Sequence, residues 1–82
     1  SDDNPEEKLA DDDMDALVIR FIGELPAQYK AVLTLYHLEH MSYPEIGVAT
    51  GMPEGTVKNY LFRARALVKD KVKKYLGKEE ML

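Results

Sequence analysis

The sequence predicts a small all-α domain of four helices, and three observations support this fold class. Apolar residues recur at i, i+3, i+4, i+7, i+8 and i+11 from Met14 to Leu25, which is the spacing of a one-faced helix. A Ser-x-x-Glu capping box at Ser42 and Glu45 marks the start of a later helix. No stretch alternates apolar and polar residues as a strand would. The 82 residues are 45% hydrophobic, so we expect one globular domain near the lower size limit for a self-sufficient core.

The first two predicted helices are separated by a proline. The first begins at Met14, after acidic residues that suit a helix N-terminus, and it stops before Pro26. The same proline suits the first turn of a second helix, which we predict from Ala27 to Leu38. The residues expected to point inward from this second helix are Tyr29, Val32, Leu33 and Tyr36, with Leu35 as a further candidate.

The third and fourth predicted helices are joined by a turn of three residues, Gly51-Met52-Pro53. Gly51 ends the short third helix, because glycine readily adopts the left-handed conformation of a C-cap. The fourth helix begins near Glu54, runs to about Leu76 and is followed by a tail, residues 77–82, that we expect to fray. Its expected inward residues are Val57, Leu61, Ala64, Leu67 or Val68, Val72 and Tyr75.

A short helix, a three-residue turn with glycine and a second helix form the outline of a helix-turn-helix. Gly47 lies inside the short helix, where glycine costs about 1 kcal/mol relative to alanine, so we predict a close helix crossing there. Val57 is expected to lock the fourth helix onto the third. Together with Gly51, these residues support the motif more strongly than any of them does alone. The long fourth helix would be its recognition helix.

Charge divides the chain into an acidic head and a basic final helix, although the net charge of the whole chain is only −4. Residues 1–15 hold eight acids against one lysine, a net charge of −7. Residues 58–78 hold eight basic residues against Asp70, a net charge of +7. This asymmetry indicates a nucleic-acid partner or an intramolecular mask. Residues 1–13 are predicted to be a flexible acidic linker, since they contain almost no apolar side chains.

The composition disfavours several classes of protein. There is no cysteine, hence no disulfide and no thiolate metal site, which fits a cytoplasmic location. No apolar run approaches the roughly 18 residues of a membrane span, so we expect no membrane insertion. An enzyme would need a nucleophile with a base, or a metal, and the only histidine pair, His37 and His40, has no third ligand at a suitable spacing. We therefore expect no catalytic activity, no metal and no cofactor. The abrupt start at Ser1 suggests a fragment of a longer protein.

The fourth helix has a polar face suited to DNA, because the N-terminal part of the second helix of a helix-turn-helix enters the major groove. Lysine and arginine can pair there with guanine, and asparagine with adenine. Thr56 and the helix N-terminus can hold a phosphate. Phe62 either touches a thymine methyl group or lies half-buried along Lys58 and Ala66. This face comprises Glu54, Thr56, Lys58, Asn59, Phe62, Arg63 and a further candidate, Arg65. A second, solvated face either attracts phosphate in general or serves only solubility, and it comprises Lys69, Lys71, Lys73 and Lys74.

The segment LPAQYKAVLTLYHLEHMSYPEIGVATGMPEGTVKNYLFRARALV resembles region 4 of the extracytoplasmic-function sigma factors of bacteria. The resemblance covers about residues 14–76, and the matching pieces are Leu25-Pro26, Ser42-Tyr43 with Glu45-Ile46, Gly55-Thr56-Val57-Lys58 and Arg63-Ala64-Arg65. It implies a four-helix domain over residues 14–76 that recognises the promoter −35 element, within a sigma factor that directs RNA polymerase to promoters for transcription initiation. It also implies docking on the β flap of the polymerase core, an anti-sigma factor as a further partner, and a missing region 2 before the acidic linker.

Position by position, the resemblance implies DNA contacts at eight residues, namely Pro53, Glu54, Gly55, Thr56, Lys58, Asn59, Phe62 and Arg63. The chain also departs from the family pattern. Asn59-Tyr60 stands where the family typically has Ser-Arg, which leaves the preferred promoter sequence open. His40 replaces a frequent glycine, Gly47 a frequent alanine and Lys30 a frequent arginine.

Two other binding classes share parts of this pattern. The output domain of a response regulator also has four helices with a Gly-Thr-Val-Lys run, and it binds DNA as a dimer. The long leading helix, the Leu-Pro start and the Arg-Ala-Arg run favour the sigma factor. A protein-interaction module would use the same polar face for an acidic partner, and salt-dependent DNA binding with a sequence preference would separate it from a promoter reader.

The first two helices carry more apolar residues than so small a domain is expected to bury. The candidates for a hydrophobic surface that serves a protein partner are Phe21, Ile22, Leu35 and Leu38. The resemblance implies that RNA polymerase or an anti-sigma factor binds at this surface.

Overall fold

Four helices form the domain, which confirms the predicted fold class. The computed structural model describes the backbone of residues 5–80 and the side chains of residues 13–77, and it contains no strand within the described backbone. Helix α1 spans Pro5–Gly23, α2 spans Ala27–Leu33 and continues as a π-helical segment over Thr34–Leu38, α3 spans Tyr43–Thr50, and α4 spans Glu54–Glu80. Predictions for residues 1–4 and 81–82 lie outside the described residues.

Helix α1 begins at Pro5, nine residues before the predicted start at Met14. Proline suits the first helical position, and the acidic residues that follow it suit the positive end of the helix dipole. These local preferences extend the helix to the N-terminal side of its apolar stripe. Apolar periodicity alone does not reveal this extension. The role of residues 1–13 as a linker stays a prediction.

Helix α4 also exceeds its predicted length, because it passes Leu76 and ends at Glu80. Gly77 lies inside the helix, although glycine costs about 1 kcal/mol in a helix interior. The residues around it include lysine and glutamate, which favour helix, so one glycine does not end α4. The backbone of residues 77–80 is helical where we expected a frayed tail.

The hydrophobic core is formed by residues of α1, α2 and α3 and by one buried stripe of α4. Its buried residues are Phe21, Ile22, Leu25, Val32, Leu33, Ile46, Val57, Leu61, Ala64 and Val68. The four α4 residues among them follow the spacing i, i+4, i+7 and i+11, as predicted for an inward helical face. Of the two alternatives at the next turn, Val68 is buried and Leu67 is exposed. Val72 is half-buried and packs against the same core.

Two of the four residues predicted for a partner surface belong to the core instead. Phe21 is 7% exposed and Ile22 is 2% exposed, so the prediction for them is wrong. The reason is that α1 packs against α4, so both residues lie in the shared core. There the Phe21 ring meets the Tyr75 ring edge-on with 6.1 Å between centroids. Leu35 is half-buried and Leu38 is exposed.

The connection between α2 and α3 differs from the single long helix that we predicted. After Leu33 the chain widens into the π-helical segment and then leaves it through His40, whose φ is +57°. Among the described residues, His40 is the only non-glycine residue with a positive φ. This left-handed conformation explains why glycine is frequent here in the family that the sequence resembles.

Replacing His40 by glycine is expected to stabilise the domain. A left-handed conformation costs an ordinary side chain about 1–2 kcal/mol. Glycine avoids this cost but adds about 0.4–1 kcal/mol of conformational entropy to the unfolded chain. We therefore expect the free energy of unfolding in urea to rise by about 0.5–1 kcal/mol. The control is Glu39→Gly, because Glu39 is exposed and has a φ of −96°, so this change should destabilise the domain. A destabilised His40→Gly variant would contradict the backbone strain.

Candidate nucleic-acid interface

Helix α3 starts from a complete capping box, as predicted. The Ser42 N–H donates to Glu45 Oε1 at 2.8 Å, and the Glu45 N–H donates to Ser42 Oγ at 3.2 Å. The hydrogen bonds from the backbone and side chain of Ser42 hold the pKa of Glu45 below its usual value, because they stabilise the ionised carboxylate. The box satisfies two of the free N–H groups at the start of α3 and fixes how the chain enters the helix.

The turn after α3 is built on Gly51, whose φ of +74° is the predicted left-handed conformation. Its N–H donates to the Gly47 carbonyl oxygen at 2.9 Å. The Thr50 hydroxyl donates to the Ile46 carbonyl at 2.7 Å and accepts the Met52 N–H at 3.3 Å. These bonds tie the turn to the last part of α3 and therefore fix the direction in which α4 leaves it.

Gly47 is needed by the turn and not by a close crossing of helix axes. A Cβ atom at this position would lie 2.9 Å from the Met52 carbonyl oxygen, which is too close unless the turn backbone shifts. The predicted reason for Gly47 is therefore corrected, because its near neighbour is the turn itself. An alanine here, as the family frequently has, requires a slightly displaced turn.

Buried residues anchor the first turns of α4 against α3. Ile46 on α3 and Val57 on α4 are both fully buried, and Leu61 is 1% exposed. All three belong to the same core. The burial of Val57 confirms its predicted role, and it forces the opposite side of α4 to face solvent.

The outward face of α4 carries most of the residues predicted to contact DNA. Thr56 is half-buried, and the exposed residues are Pro53, Glu54, Gly55, Lys58, Asn59, Phe62 and Arg63. Gly55, Asn59, Phe62 and Ala66 follow the spacing i, i+4, i+7 and i+11 and form one stripe, called here the outward stripe. Ala66 is the one member of the stripe outside the predicted DNA-facing residues, although helical spacing from Asn59 and Phe62 places it on the same face. The eight DNA contacts themselves stay a prediction.

Phe62 is 75% exposed, which excludes the half-buried position along Lys58 and Ala66 that the sequence left open. Apolar side chains are suited to contact the thymine methyl group in the major groove, and this contact of Phe62 stays a prediction.

Lys58 is held from two sides beside the outward stripe. Its Nζ lies 3.7 Å from Glu54 Oε2, and it also lies 5.9 Å from the centroid of the Tyr43 ring. Tyr43 in turn packs against Tyr36 with 5.6 Å between ring centroids. The conformation of Lys58 therefore depends on α3 and on the π-helical segment as well as on α4.

Arg63 and Arg65 differ in their surroundings, although only one residue separates them. The Arg65 guanidinium lies over the Tyr36 ring at 4.7 Å, so Arg65 is directed toward the π-helical segment. Arg63 makes no ion pair with any acid whose side chain the structure describes. The alternative in which Arg63 only pairs with a neighbouring acid therefore finds no support within residues 13–77, and Arg63 is the better placed of the two for DNA.

Two of the distal lysines are engaged in ion pairs. Lys71 Nζ lies 3.6 Å from Glu24 Oε1, and Lys74 Nζ lies 3.1 Å from Asp70 Oδ2. These exposed pairs contribute little to stability and leave the lysines able to attract phosphate. The predicted intramolecular mask would place the acidic head, residues 1–15, against the basic helix. Most of these acidic side chains lie outside the described ones, so the mask stays a prediction.

Comparison with known proteins identifies the family. Residues 15–68 match the family described as "Sigma-70, region 4". The chain belongs to this family. It is 34% identical over 70 residues to the ECF RNA polymerase sigma-E factor of Haemophilus influenzae, which covers 85% of the chain and 37% of the relative. The sigma-E factors of Escherichia coli and Salmonella typhimurium are each 36% identical over 69 residues, which covers 84% of the chain and 36% of each relative. The chain thus spans little more than a third of the length of these relatives.

The sigma-70 region 4 match contains α3, the turn and the part of α4 that ends at Val68, the last buried core residue of this helix. The recognised resemblance is therefore confirmed, and a response-regulator output domain is not favoured. No helix in the described part of this sigma-70 region 4 domain is both long enough and apolar enough to cross a membrane.

Proposed function

We propose that this domain recognises the −35 element of promoters, as the region 4 of a sigma factor that directs RNA polymerase to the sites of transcription initiation. The observation that carries the proposal is the outward stripe, which is exposed on α4. The buried residues of α3 and α4 hold this helix in place. Membership of the sigma-70 region 4 family and the names of the relatives support it.

In the proposed complex the first three turns of α4 enter the major groove. Asn59 on the stripe and Arg63 beside it face the base edges, where asparagine suits adenine and arginine suits guanine. Phe62 supplies an apolar contact to a thymine methyl group. Thr56 and the free N–H groups at the start of α4 hold a phosphate and so set the register of the helix on the duplex.

The protein partners that we propose are the β flap of RNA polymerase and an anti-sigma factor, both in the cytoplasm. A surface for them is available away from the outward stripe, because Leu38 is 38% exposed and Ile19 on α1 is 48% exposed. Single exposed apolar residues are common on protein surfaces, so the proposal rests on membership of the family as well as on this exposure. Ile19 takes the place of Phe21 and Ile22 in this proposal.

The proposal is tested by titrating the domain with DNA at two salt concentrations, after a preferred duplex has been selected from randomised sequences. We expect affinity in the micromolar range or weaker, because one helix-turn-helix monomer has a small interface. The logarithm of the affinity should fall steeply with the logarithm of the salt concentration, since Lys and Arg contacts release counterions. A scrambled duplex is the control. The absence of either the salt dependence or a sequence preference would contradict promoter recognition.

A further inference from the structure

We propose that Glu54 and Lys58 act as one unit that reads a C·G base pair. This inference rests on the proposed function, because it assigns a base pair to two residues of the same DNA-facing surface. The inference goes beyond the proposed function in two respects. The Glu54 carboxylate and the Lys58 ammonium act as a matched acceptor and donor, and Glu54 becomes a determinant of sequence specificity.

The positions of the two charged groups carry the inference. Glu54 Oε2 and Lys58 Nζ lie 3.7 Å apart, one helical turn from each other, and their side chains are 51% and 57% exposed. The ammonium is further confined by the Tyr43 ring, whose centroid lies 5.9 Å away, and Tyr43 is itself packed against Tyr36. The Glu54 acceptor and the Lys58 donor therefore lie side by side, next to the outward stripe. The Lys58 side chain is partly preorganised by its contact with the Tyr43 ring.

The major-groove edge of a C·G pair has the complementary pattern. Cytosine presents its N4 amino group as a donor, and guanine presents two adjacent acceptors, O6 and N7. The carboxylate can accept from cytosine N4 while the ammonium donates to guanine, so each charge of the Glu54–Lys58 pair finds a partner. An A·T pair also has an amino donor, but its acceptors lie on either side of that donor and the thymine methyl group occupies the edge. The C·G pair is thus the better fit.

Glu54 also opposes binding to sites that lack this pattern. A carboxylate that meets a base acceptor or a phosphate is repelled and loses its hydration without compensation. It also retains the Lys58 ammonium, which then contributes less to phosphate attraction. We therefore infer that Glu54 lowers affinity for random DNA more than affinity for a duplex with C·G at the contacted position.

The test measures dissociation constants of the full chain for its selected duplex and for duplexes in which each base pair is replaced in turn. For the wild type we expect replacement of one C·G pair by T·A to weaken binding about tenfold. Glu54→Ala should reduce this loss to less than about threefold and leave the other positions unchanged. Glu54→Gln should shift the preference at the same position toward A·T, because a carboxamide matches adenine N6 and N7.

The matched control is Glu24→Ala. Glu24 is 46% exposed and pairs with Arg20 and Lys71 at 3.6 Å, so its removal changes the net charge equally but away from the outward stripe. The control should retain the full discrimination of the wild type. If Glu54→Ala keeps the wild-type pattern, or if Glu24→Ala loses it equally, the inference is overturned while promoter recognition stands. A wild type without preference at any position would overturn both. Helical content by circular dichroism should be equal in all variants.

Discussion

Ile46→Ala lowers the free energy of unfolding by about 2–5 kcal/mol, which is the largest single effect that we expect. Ile46 is fully buried between the short helix of the motif and the rest of the core. Its truncation removes apolar contacts and leaves a cavity at the point where α3 supports α4. The measurement is equilibrium unfolding in urea, followed by far-ultraviolet circular dichroism.

Val48→Ala is the matched control for this change. Val48 lies on the same short helix, two residues after Ile46, but its side chain is 87% exposed. We expect its replacement to alter the free energy of unfolding by less than about 0.5 kcal/mol. If Ile46→Ala were as mild as Val48→Ala, the packing between α3 and the core would not hold the motif together as described.

Asn59→Ala and Arg63→Ala are each expected to weaken binding to the preferred duplex by about 1–3 kcal/mol and binding to random DNA by much less. The reason is that a contact to a base edge discriminates between sequences, whereas a contact to phosphate does not. Both side chains are exposed, and neither makes a hydrogen bond or ion pair with another described side chain. Their removal should therefore leave the stability of the domain unchanged. Fluorescence anisotropy with labelled duplexes provides both affinities.

Local sequence signals predicted much of the motif. The Ser42 capping box and the left-handed Gly51 follow from short-range hydrogen bonding and backbone sterics, and both are present. The inward stripe from Val57 to Val68 follows from helical spacing. Once that stripe is known, the outward position of Asn59 follows as well, which is why the candidate DNA face could be predicted without a structure.

Features that depend on contacts between distant residues could not be predicted in this way. The spacing within α1 places Phe21 on the apolar face of the helix, but which residues of that face are covered depends on the packing of α4, whose Tyr75 ring lies against Phe21. The stacking of Arg65 on Tyr36 depends on the path of the π-helical segment. The sequence therefore leaves Arg65 as a further candidate beside Arg63, and the folded chain directs it toward the π-helical segment.

We propose that α4 reads bases with its first turns and attracts phosphate with its distal lysines. Lys73 lies fourteen residues after Asn59, which is about 21 Å along a helix, so the two cannot reach the same base pairs. The decisive measurement is the ratio of preferred-duplex to random-DNA affinity in the Asn59→Ala, Arg63→Ala and paired Lys73→Ala, Lys74→Ala variants. We expect a reduced ratio in the first two variants, and in the third an unchanged ratio with a shallower salt dependence. An unchanged ratio in the first two together with an altered ratio in the third would contradict this proposal.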